Sequence, residues 1–469
     1  MESLTQVIGR IIESMEDFSS WEEEVHSLSL EASQKLAREF LKAVDDELAK
    51  NREKDLTVVG KRKMTLMTKF GCVEVERRLY MDGNGNYRYL LDEAIGLKKG
   101  SRISASLSRI ALELSSHAPY RFAAKVIKEF TRENISHTTL HNMVAQVGDE
   151  KNEEEEQRRV DLFEKGKHPP SKEKKAKRLF IEADGVGIAL QRQRKKRCEV
   201  KIAVAYEGWE SQGNKRFRTL GKTVHLGLCP GEEFWQDFSV SLASRYDLKS
   251  TEEFILGGDG APWIKGEGLI IPFKRFQLDR FHLKRALRIA LGPDNEKVRI
   301  AYEKACEGDV ETVKRILKKE EALSPPEKRK QIVSIRRYIT QNRDGLLDWR
   351  KGREDAKTLR GMGVIEGNGD KILANRVKKR GMSWTPEGAD RIAKVIQLRE
   401  NDELSGWVRK QSGVQPKEMF KEVITQVKSE FDRDPEQWLR VRMPALYGSC
   451  SDECWVSILR EISHLPKVV

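Results

Sequence analysis

Two acidic residues interrupt a stretch of the sequence that is otherwise typical of a buried strand. In RLFIEADGVGIAL, residues 178–190, the apolar residues favour a sheet interior, whereas Glu182 and Asp184 do not. A carboxylate in the centre of a sheet is costly unless a partner or a metal ion compensates its charge. Asp259 closes a second apolar segment, FILGGDGAPW, in which the flanking glycines let backbone and ligand approach closely.

Acids from two neighbouring strands can share a divalent cation. Mg²⁺ and Mn²⁺ take oxygen ligands and keep water positions for substrate phosphate. Two such ions, held about 3.5 to 4 Å apart, can activate a nucleophile and stabilise a leaving oxygen in phosphodiester chemistry.

A third carboxylate is then expected. Glu366, which begins a helical segment in GMGVIEGNGDKILANRVKKRG, is the best candidate, and Asp370 is the reserve candidate because residues four apart share a helix face. Each acid has a structural alternative as a turn former or helix cap.

Other residues fit supporting roles near these acids. His282, in DRFHLKRAL, could contact substrate phosphate or stabilise a leaving group, or it could be an ordinary core histidine. Arg376, Lys378, Lys379 and Arg380 follow Glu366 in sequence and suit a phosphate backbone, although basic residues on a helix are often only solvated.

The elements that would position these residues are predicted for residues 179–404. Strand-like and helix-like segments alternate there, which argues for an α/β catalytic domain. Residues 283 to about 355 are helical throughout and therefore resemble an insertion. Residues 151–178 are dense in charge and contain paired prolines, so we expect an exposed helix followed by a flexible linker at a domain boundary. Residues 405–469 are predicted to form a charged helical region.

The first 150 residues are predicted to form an α+β region that binds DNA. Residues 1–55 have helical periodicity, and residues 56–100 alternate with period two around the hairpin signal DGNGN. Residues 101–150 contain three helical segments, the third capped by Ser136. Two short helices with a tight link indicate a helix-turn-helix, although an ordinary helical bundle remains an alternative. The polar residues in the first turns of the third segment are Thr138, Thr139, His141 and Asn142.

The composition favours a polyanionic partner. The 469 residues include 87 Lys and Arg against 74 Asp and Glu, a formal net charge of +13, and nucleic acid is favoured over an acidic membrane. No apolar run approaches the roughly 18 to 20 residues of a membrane helix, and the first residues do not resemble a signal peptide. The six cysteines are scattered, which does not indicate a disulfide framework. We therefore expect a cytoplasmic protein.

Four segments resemble those of DDE-type transposases with a ribonuclease-H-like core, and more narrowly those of bacterial insertion-sequence transposases of the ISLre type. They are FIEADGVGIALQ, GGDGAPWI, LDRFHLKRAL and GVIEGNGDKILANRVKKRGMSWTPEGADRI. The resemblance implies that Asp184, Asp259 and Glu366 are a catalytic triad that binds Mg²⁺ or Mn²⁺. The helical insertion would account for the long interval between the second and third acids.

The function implied by this resemblance is DNA transposition by a nucleoid-associated bacterial enzyme. Residues 1–150 would bind the terminal inverted repeats of a mobile element, and the α/β core would cut double-stranded DNA and join the ends. Pairing two DNA ends implies a homodimer or a larger assembly. Two alternatives remain: a metal-dependent nuclease without strand transfer, and a non-catalytic, domesticated DNA-binding protein. Hydrolysis and strand transfer use the same acids and metals, so the sequence does not separate the first alternative.

Overall fold

The computed structural model describes most of the chain between residues 17 and 411. The described residues are 17–98, 100–170, 174–214, 216–265, 273, 275–293, 295–356, 359–379, 381–411 and 425. Within these ranges every helix is too short or too polar to cross a membrane. The fold is mixed α/β, which confirms the predicted class. Arg380 and nearly all of the predicted C-terminal helical region lie outside the described residues.

The chain divides into two compact units. The first holds the described residues of Met1–Ala111, Ala124–Ile135 and Ser405–Val469, and the second holds those of Leu112–Ala123 and Ser136–Leu404. The second unit therefore contains every residue that the sequence predicts for the metal site.

The first unit is built on a small antiparallel sheet and a long helix. Its strands are β1 Thr57–Thr68, β2 Gly71–Met81 and β3 Tyr87–Arg88, in the order β1-β2-β3, and its first helices are α1 Phe18–Lys50 and α2 Leu90–Ala94. The period-two pattern turns Val73 and Val75 of β2 into the core. The predicted hairpin turn forms around Asp82, whose carboxylate accepts the backbone N–H of Asn86 at 2.8 Å. The small sheet is therefore placed as the sequence predicts.

Three helices follow, α3 Ala105–His117, α4 Tyr120–Thr131 and α5 His137–Phe163. The Ser136 hydroxyl accepts the N–H of Thr139 at 2.9 Å, which confirms the predicted cap of α5. Helix α5 has 27 residues and runs through residue 150, where the sequence suggests a boundary. The expectation of an exposed helix beyond that point is wrong for Lys151 and Glu155, which are buried and lie 3.5 Å apart as an ion pair.

The second unit is centred on a mixed sheet in the order β10-β9-β4-β5-β8. Its strands are β4 Arg178–Leu190, β5 Arg197–Tyr206, β8 Thr223–Gly227, β9 Glu253–Gly258 and β10 Arg275–Leu278. Strand β4 pairs antiparallel with β5 and parallel with β9, and β10 is parallel to β9. The carboxyl ends of β9 and β10 therefore lie at the same edge of the sheet. Two short pieces are separate from this order: the β6 Gly208–Ser211 and β7 Phe217–Leu220 hairpin, and β11 Ser383–Trp384, which pairs with the end of β4.

The second unit also contains the helices α6 Gly231–Ala243, α7 Pro262–Lys265, α8 Arg280–Leu291, α9 Asn295–Glu307, α10 Val310–Leu323, α11 Pro326–Gln341, α12 Val364–Asn368, α13 Asn375–Val377 and α14 Pro386–Glu400. Helices α8 to α11 account for most of the insertion. A further helix, α15 Leu404–Gln411, belongs to the first unit from Ser405 onward. Short 3₁₀ turns occupy Leu248–Ser250 and Arg343–Gly345, and a π-helical stretch, Gly369–Ala374, joins α12 to α13. One face of β4 packs on α6 through Ile181 and Ala183. The opposite face carries Glu182 and Asp184, because alternate residues of a strand share a face.

Candidate functional site

Asp184 lies in the middle of the central strand rather than at its end. Its carboxylate is partly buried and accepts the N–H of Gly185 at 2.7 Å. The residue before it, Ala183, is paired with Gly258 of β9, and Gly258 is in turn paired with Leu278 of β10. Residues that follow the ends of β9 and β10 are therefore brought to the level of Asp184.

Asp259 is the first residue after β9, and hydrogen bonds hold both its side chain and its backbone. Its carboxylate accepts the N–H of Ala261 at 2.8 Å, and its backbone carbonyl accepts the hydroxyl of Tyr338 at the same distance. Tyr338 belongs to α11, so the helical insertion contributes directly to the position of this acid. Sequence reasoning did not identify Tyr338.

Glu366 and His282 meet Asp184 although they come from distant parts of the chain. His282 lies in the first turn of α8, which Asp279 caps by accepting the His282 N–H at 2.9 Å. Glu366 lies in α12, and its carboxylate is 4.0 Å from the imidazole Nε2 of His282. One possible ligand atom from each of Asp184, His282 and Glu366 lies within 4.8 Å of the others. We call these three residues the edge cluster.

The charges of the edge cluster are poorly compensated by the protein itself. Burial, together with the negative charges of Asp259 and Glu366, raises the pKa of the Asp184 carboxyl to about 6, although the Gly185 N–H and His282 partly offset this rise. In the part of the chain that the structure describes, no lysine or arginine forms an ion pair with Asp184, Asp259 or Glu366. Carboxylates that lie close together without a lysine or arginine partner fit a hard divalent cation such as Mg²⁺ or Mn²⁺.

Glu182 has a different environment from Asp184, two residues away on the same strand. It is almost fully buried, and its carboxylate accepts the Tyr206 hydroxyl at 2.5 Å and the backbone N–H groups of Gly363, Val364 and Ile365. The sequence marks Glu182 as a costly buried acid but gives no partner for it. Its three backbone partners are about 180 residues away along the chain.

The reserve acid and the basic residues after Glu366 lie in varied positions. Asp370 is exposed and pairs with Lys379 at 2.8 Å, so the structure brings Glu366, and not Asp370, to Asp184. Lys378 is exposed, as a phosphate-binding residue must be. The expectation for Arg376 does not fit its position. It is buried, donates to the Ser115 carbonyl at 2.7 Å and lies between the rings of Tyr120 and Trp384, so it cannot reach a phosphate.

The predicted DNA-reading residues lie at the start of α5. Thr138, His141 and Asn142 are exposed, and Thr139 is partly exposed. The His141 ring makes an edge contact with the ring of Tyr120 at 5.7 Å between centroids. These polar side chains are therefore accessible on one helical turn and its continuation.

A second group of acids and a histidine lies in the interior of the same unit. One possible ligand atom from each of Glu155, His225 and Asp237 lies within 4.8 Å of the others, and all three residues are buried. We call them the interior cluster. Lys394 donates to Glu155 at 2.6 Å, and Arg159 donates to both oxygens of Asp237 at 2.7 Å. Both acids of the interior cluster are therefore paired with basic residues of the chain.

The comparison with known families matches nearly the whole described chain. A family model described as "Uncharacterised protein family (UPF0236)" matches residues 13–412. This range includes all three acids of the predicted triad and His282.

Similar proteins carry the same family name. A UPF0236 protein of Caldanaerobacter subterraneus subsp. tengcongensis, whose name gives eleven loci, is 29% identical over 79% of this chain and 76% of its own length. UPF0236 protein TTE2489 of the same organism is 28% identical over 79% of this chain and 77% of its own length. The UPF0236 protein in the vanSb 3′ region of Streptococcus gallolyticus is 26% identical over 84% of this chain and 85% of its own length.

Proposed function

We propose, from the premise that this chain belongs to the uncharacterised protein family UPF0236, that it is a DNA transposase of the ISLre type. The observation that carries the proposal is the edge cluster, in which Asp184, His282 and Glu366 converge from three separate segments beside Asp259. The acids are partly accessible and have no lysine or arginine partner among the described residues. Uncompensated acids in such a position are typical of a site that binds a metal ion.

The residues that would hold Mg²⁺ or Mn²⁺ are Asp184, Asp259 and Glu366. When bound, the metal supplies an activated attacking oxygen and charge stabilisation for the leaving oxygen of a phosphodiester. Asp184 lies on β4 and Asp259 directly follows the adjacent strand β9, and Tyr338 restrains the backbone of Asp259. The donor set consists of hard oxygen atoms, which fits either ion.

His282 is placed to act on the substrate rather than to complete an oxygen-ligand set. Its side chain is 27% exposed, and its Nε2 faces the Glu366 carboxylate at 4.0 Å. An imidazole there can donate a hydrogen bond to a phosphate oxygen or carry a proton to a leaving group. Because α8 is capped by Asp279 at the end of β10, the ring is held on a rigid element.

Two further features support the transposase reading over other metal-dependent activities. The mixed sheet has Asp184 on its central strand and Asp259 directly after the adjacent parallel strand, which supports a ribonuclease-H-like core. The name of one relative gives eleven loci in one organism, and a mobile element leaves multiple copies of its gene in a genome.

DNA binding would use residues 1–150 for the element ends. The accessible polar residues at the start of α5 are candidates for base contacts, and the net charge of +13 favours the phosphate backbone. Joining two ends requires at least a dimer bound to double-stranded DNA. Lys378 and Lys379 are exposed basic residues that follow Glu366 in sequence and suit phosphate contacts near the cleavage site.

The test is strand cleavage and joining on a labelled DNA fragment that carries the terminal repeat flanking the gene. We expect activity with Mg²⁺ or Mn²⁺, none with chelator, and a loss of about 100-fold or more in Asp184→Asn and Asp259→Asn with DNA binding retained. Asp370→Asn is the matched control because this acid is exposed and paired with Lys379, and it should keep activity.

The products separate the three functions. Joined strands support a transposase, whereas cleavage without joining indicates a nuclease. DNA binding with no cleavage, unchanged in both variants, would overturn the catalytic proposal and leave a non-catalytic DNA-binding protein.

A further inference from the structure

Glu182 links the central strand to the helix that carries Glu366. Its two carboxylate oxygens accept the N–H of Gly363 at 3.2 and 3.0 Å, the N–H of Val364 at 3.1 Å and the N–H of Ile365 at 3.2 Å. These are the N–H groups at the start of α12, which have no partner within the helix. The next residue in the chain is Glu366.

The surroundings of Glu182 are adapted to this contact. Its neighbour on β9 is Gly257, where a Cβ atom would lie 3.2 Å from the Glu182 side chain and 2.8 Å from that of Met362. Gly363 has a φ of 136°, a conformation that side chains disfavour, and this turn presents three successive N–H groups to one carboxylate. The backbone of the local sequence GMGVIE therefore forms a binding site for a carboxylate from β4.

Glu182 and Asp184 lie on the same face of β4, separated by one residue. The strand therefore positions two members of the edge cluster. It carries the side chain of Asp184 itself, and through the hydrogen bonds of Glu182 it fixes the backbone that precedes Glu366. A strand in the centre of a sheet is the most rigid available support for such spacing.

We propose that Glu182 is a positioning residue that sets the location of the Glu366 carboxylate relative to Asp184, and that its loss weakens divalent-cation binding. This inference rests on the proposed metal-dependent function. Every partner of Glu182 in this arrangement is a hydrogen-bond donor. Glutamine has nearly the same shape, but its amide would present a donor to these donors. Replacing a residue that orients a metal ligand without binding the metal itself typically weakens metal affinity by about 10- to 100-fold.

The experiment measures binding of Mn²⁺ alone to the full chain, from the free-ion signal in electron paramagnetic resonance. We expect Glu182→Gln to weaken Mn²⁺ binding by about 10-fold or more and to raise the Mg²⁺ concentration for half-maximal DNA cleavage in parallel. A merely structural role would lower the number of competent molecules and leave the affinity of the remainder unchanged.

Tyr206→Phe is the matched control, because it removes one hydrogen bond to the same buried carboxylate and leaves the three backbone contacts in place. It should keep the Mn²⁺ affinity within about twofold of wild type. An equal loss in Tyr206→Phe and Glu182→Gln would overturn the inference, since general loosening would then explain both. If Glu182→Gln does not fold, Glu182→Asp is used in its place. This variant keeps the negative charge but shortens the side chain by one methylene, and it should weaken Mn²⁺ binding to the same extent.

Asp184→Asn separates this inference from the function on which it rests. If wild type and Asp184→Asn bind Mn²⁺ equally, or wild type binds none, the proposed metal site itself fails. If Asp184→Asn loses binding while Glu182→Gln retains wild-type affinity, only the positioning role of Glu182 is overturned.

Discussion

Two groups in the second unit each combine two acids with one histidine. The edge cluster contains Asp184, His282 and Glu366, and the interior cluster contains Glu155, His225 and Asp237. The distances within each group would allow a metal ion. The groups differ in their counter-charges, since Lys394 and Arg159 bind the interior acids and no described lysine or arginine pairs with the edge acids. Residue type and spacing alone therefore do not identify a metal site.

The interior cluster is a structural connection between elements that are distant in sequence. Glu155 lies on α5, Asp237 on α6 and Lys394 on α14. The Lys394 ammonium also donates to the carbonyl of Leu226 in β8 at 2.8 Å. Burial by itself would raise the pKa of Glu155, but the positive charges around it, chiefly Lys394, hold that pKa well below its usual range. The acid is therefore charged and paired at neutral pH.

The largest effect on stability is expected from removing the positive charge of Lys394 in the interior cluster. Lys394→Met should lower the free energy of unfolding by about 3 to 5 kcal/mol, because it leaves the Glu155 charge buried without its main partner. Urea denaturation followed by tryptophan fluorescence measures this. Lys222→Met is the control, since Lys222 pairs with Glu400 near the surface and should cost no more than about 1 kcal/mol. Equal, small losses in both variants would mean that counter-charge does not distinguish the two clusters.

A second effect concerns His225, whose ring packs against Phe234 and Phe238. Neither ring nitrogen has a hydrogen-bond partner in the described part of the chain, and burial lowers the pKa of His225 to about 3. The unfolded chain takes up a proton near pH 6.5 whereas the folded chain does not, so stability falls as the pH falls below that value. The contribution of His225 to this loss between pH 7 and pH 5 is expected to be about 2 kcal/mol.

The variant His225→Phe should remove this part of the pH dependence. Urea denaturation at pH 7 and pH 5 gives the slope, and comparing slopes cancels any constant cost of repacking the larger ring. His168→Phe is the control because His168 is exposed, and it should keep the wild-type slope. An unchanged slope in His225→Phe would mean that the interior cluster admits a proton in the folded state.

The comparison also explains which features the sequence could predict. The strand that contains Asp184, the alternation of strands and helices, the cap at Ser136 and the hairpin at Asp82 depend on nearby residues, and the structure has all of them. Convergence of Glu366 on Asp184 followed from the resemblance rather than from spacing.

The features that the sequence did not predict depend on partners far away in the chain. The stretch around Glu155 contains many charges and resembles a solvated helix, because its partner Lys394 is 239 residues away. Arg376 looks like a surface cation until Tyr120 and Trp384 are brought against it. The backbone partners of Glu182 are similarly remote. A local pattern indicates that a charge is present, and only the tertiary fold determines whether that charge is paired.

The smallest effect of a substitution on stability is expected at the edge cluster, where the substitution should stabilise the protein rather than destabilise it. Asp184→Asn should raise the free energy of unfolding by about 1 kcal/mol at pH 7 without divalent ions, because the raised pKa of Asp184 shows that its charge is unfavourable in the folded state. Added Mn²⁺ at about 100 times its dissociation constant should stabilise wild type by about 2.7 kcal/mol and leave Asp184→Asn unchanged. Asp370→Asn, the nearby paired acid, should show neither effect. Loss of the Mn²⁺ effect in Asp370→Asn would instead make Asp370 the third acid, and a destabilised Asp184→Asn would mean that the edge cluster is compensated in the same way as the interior one.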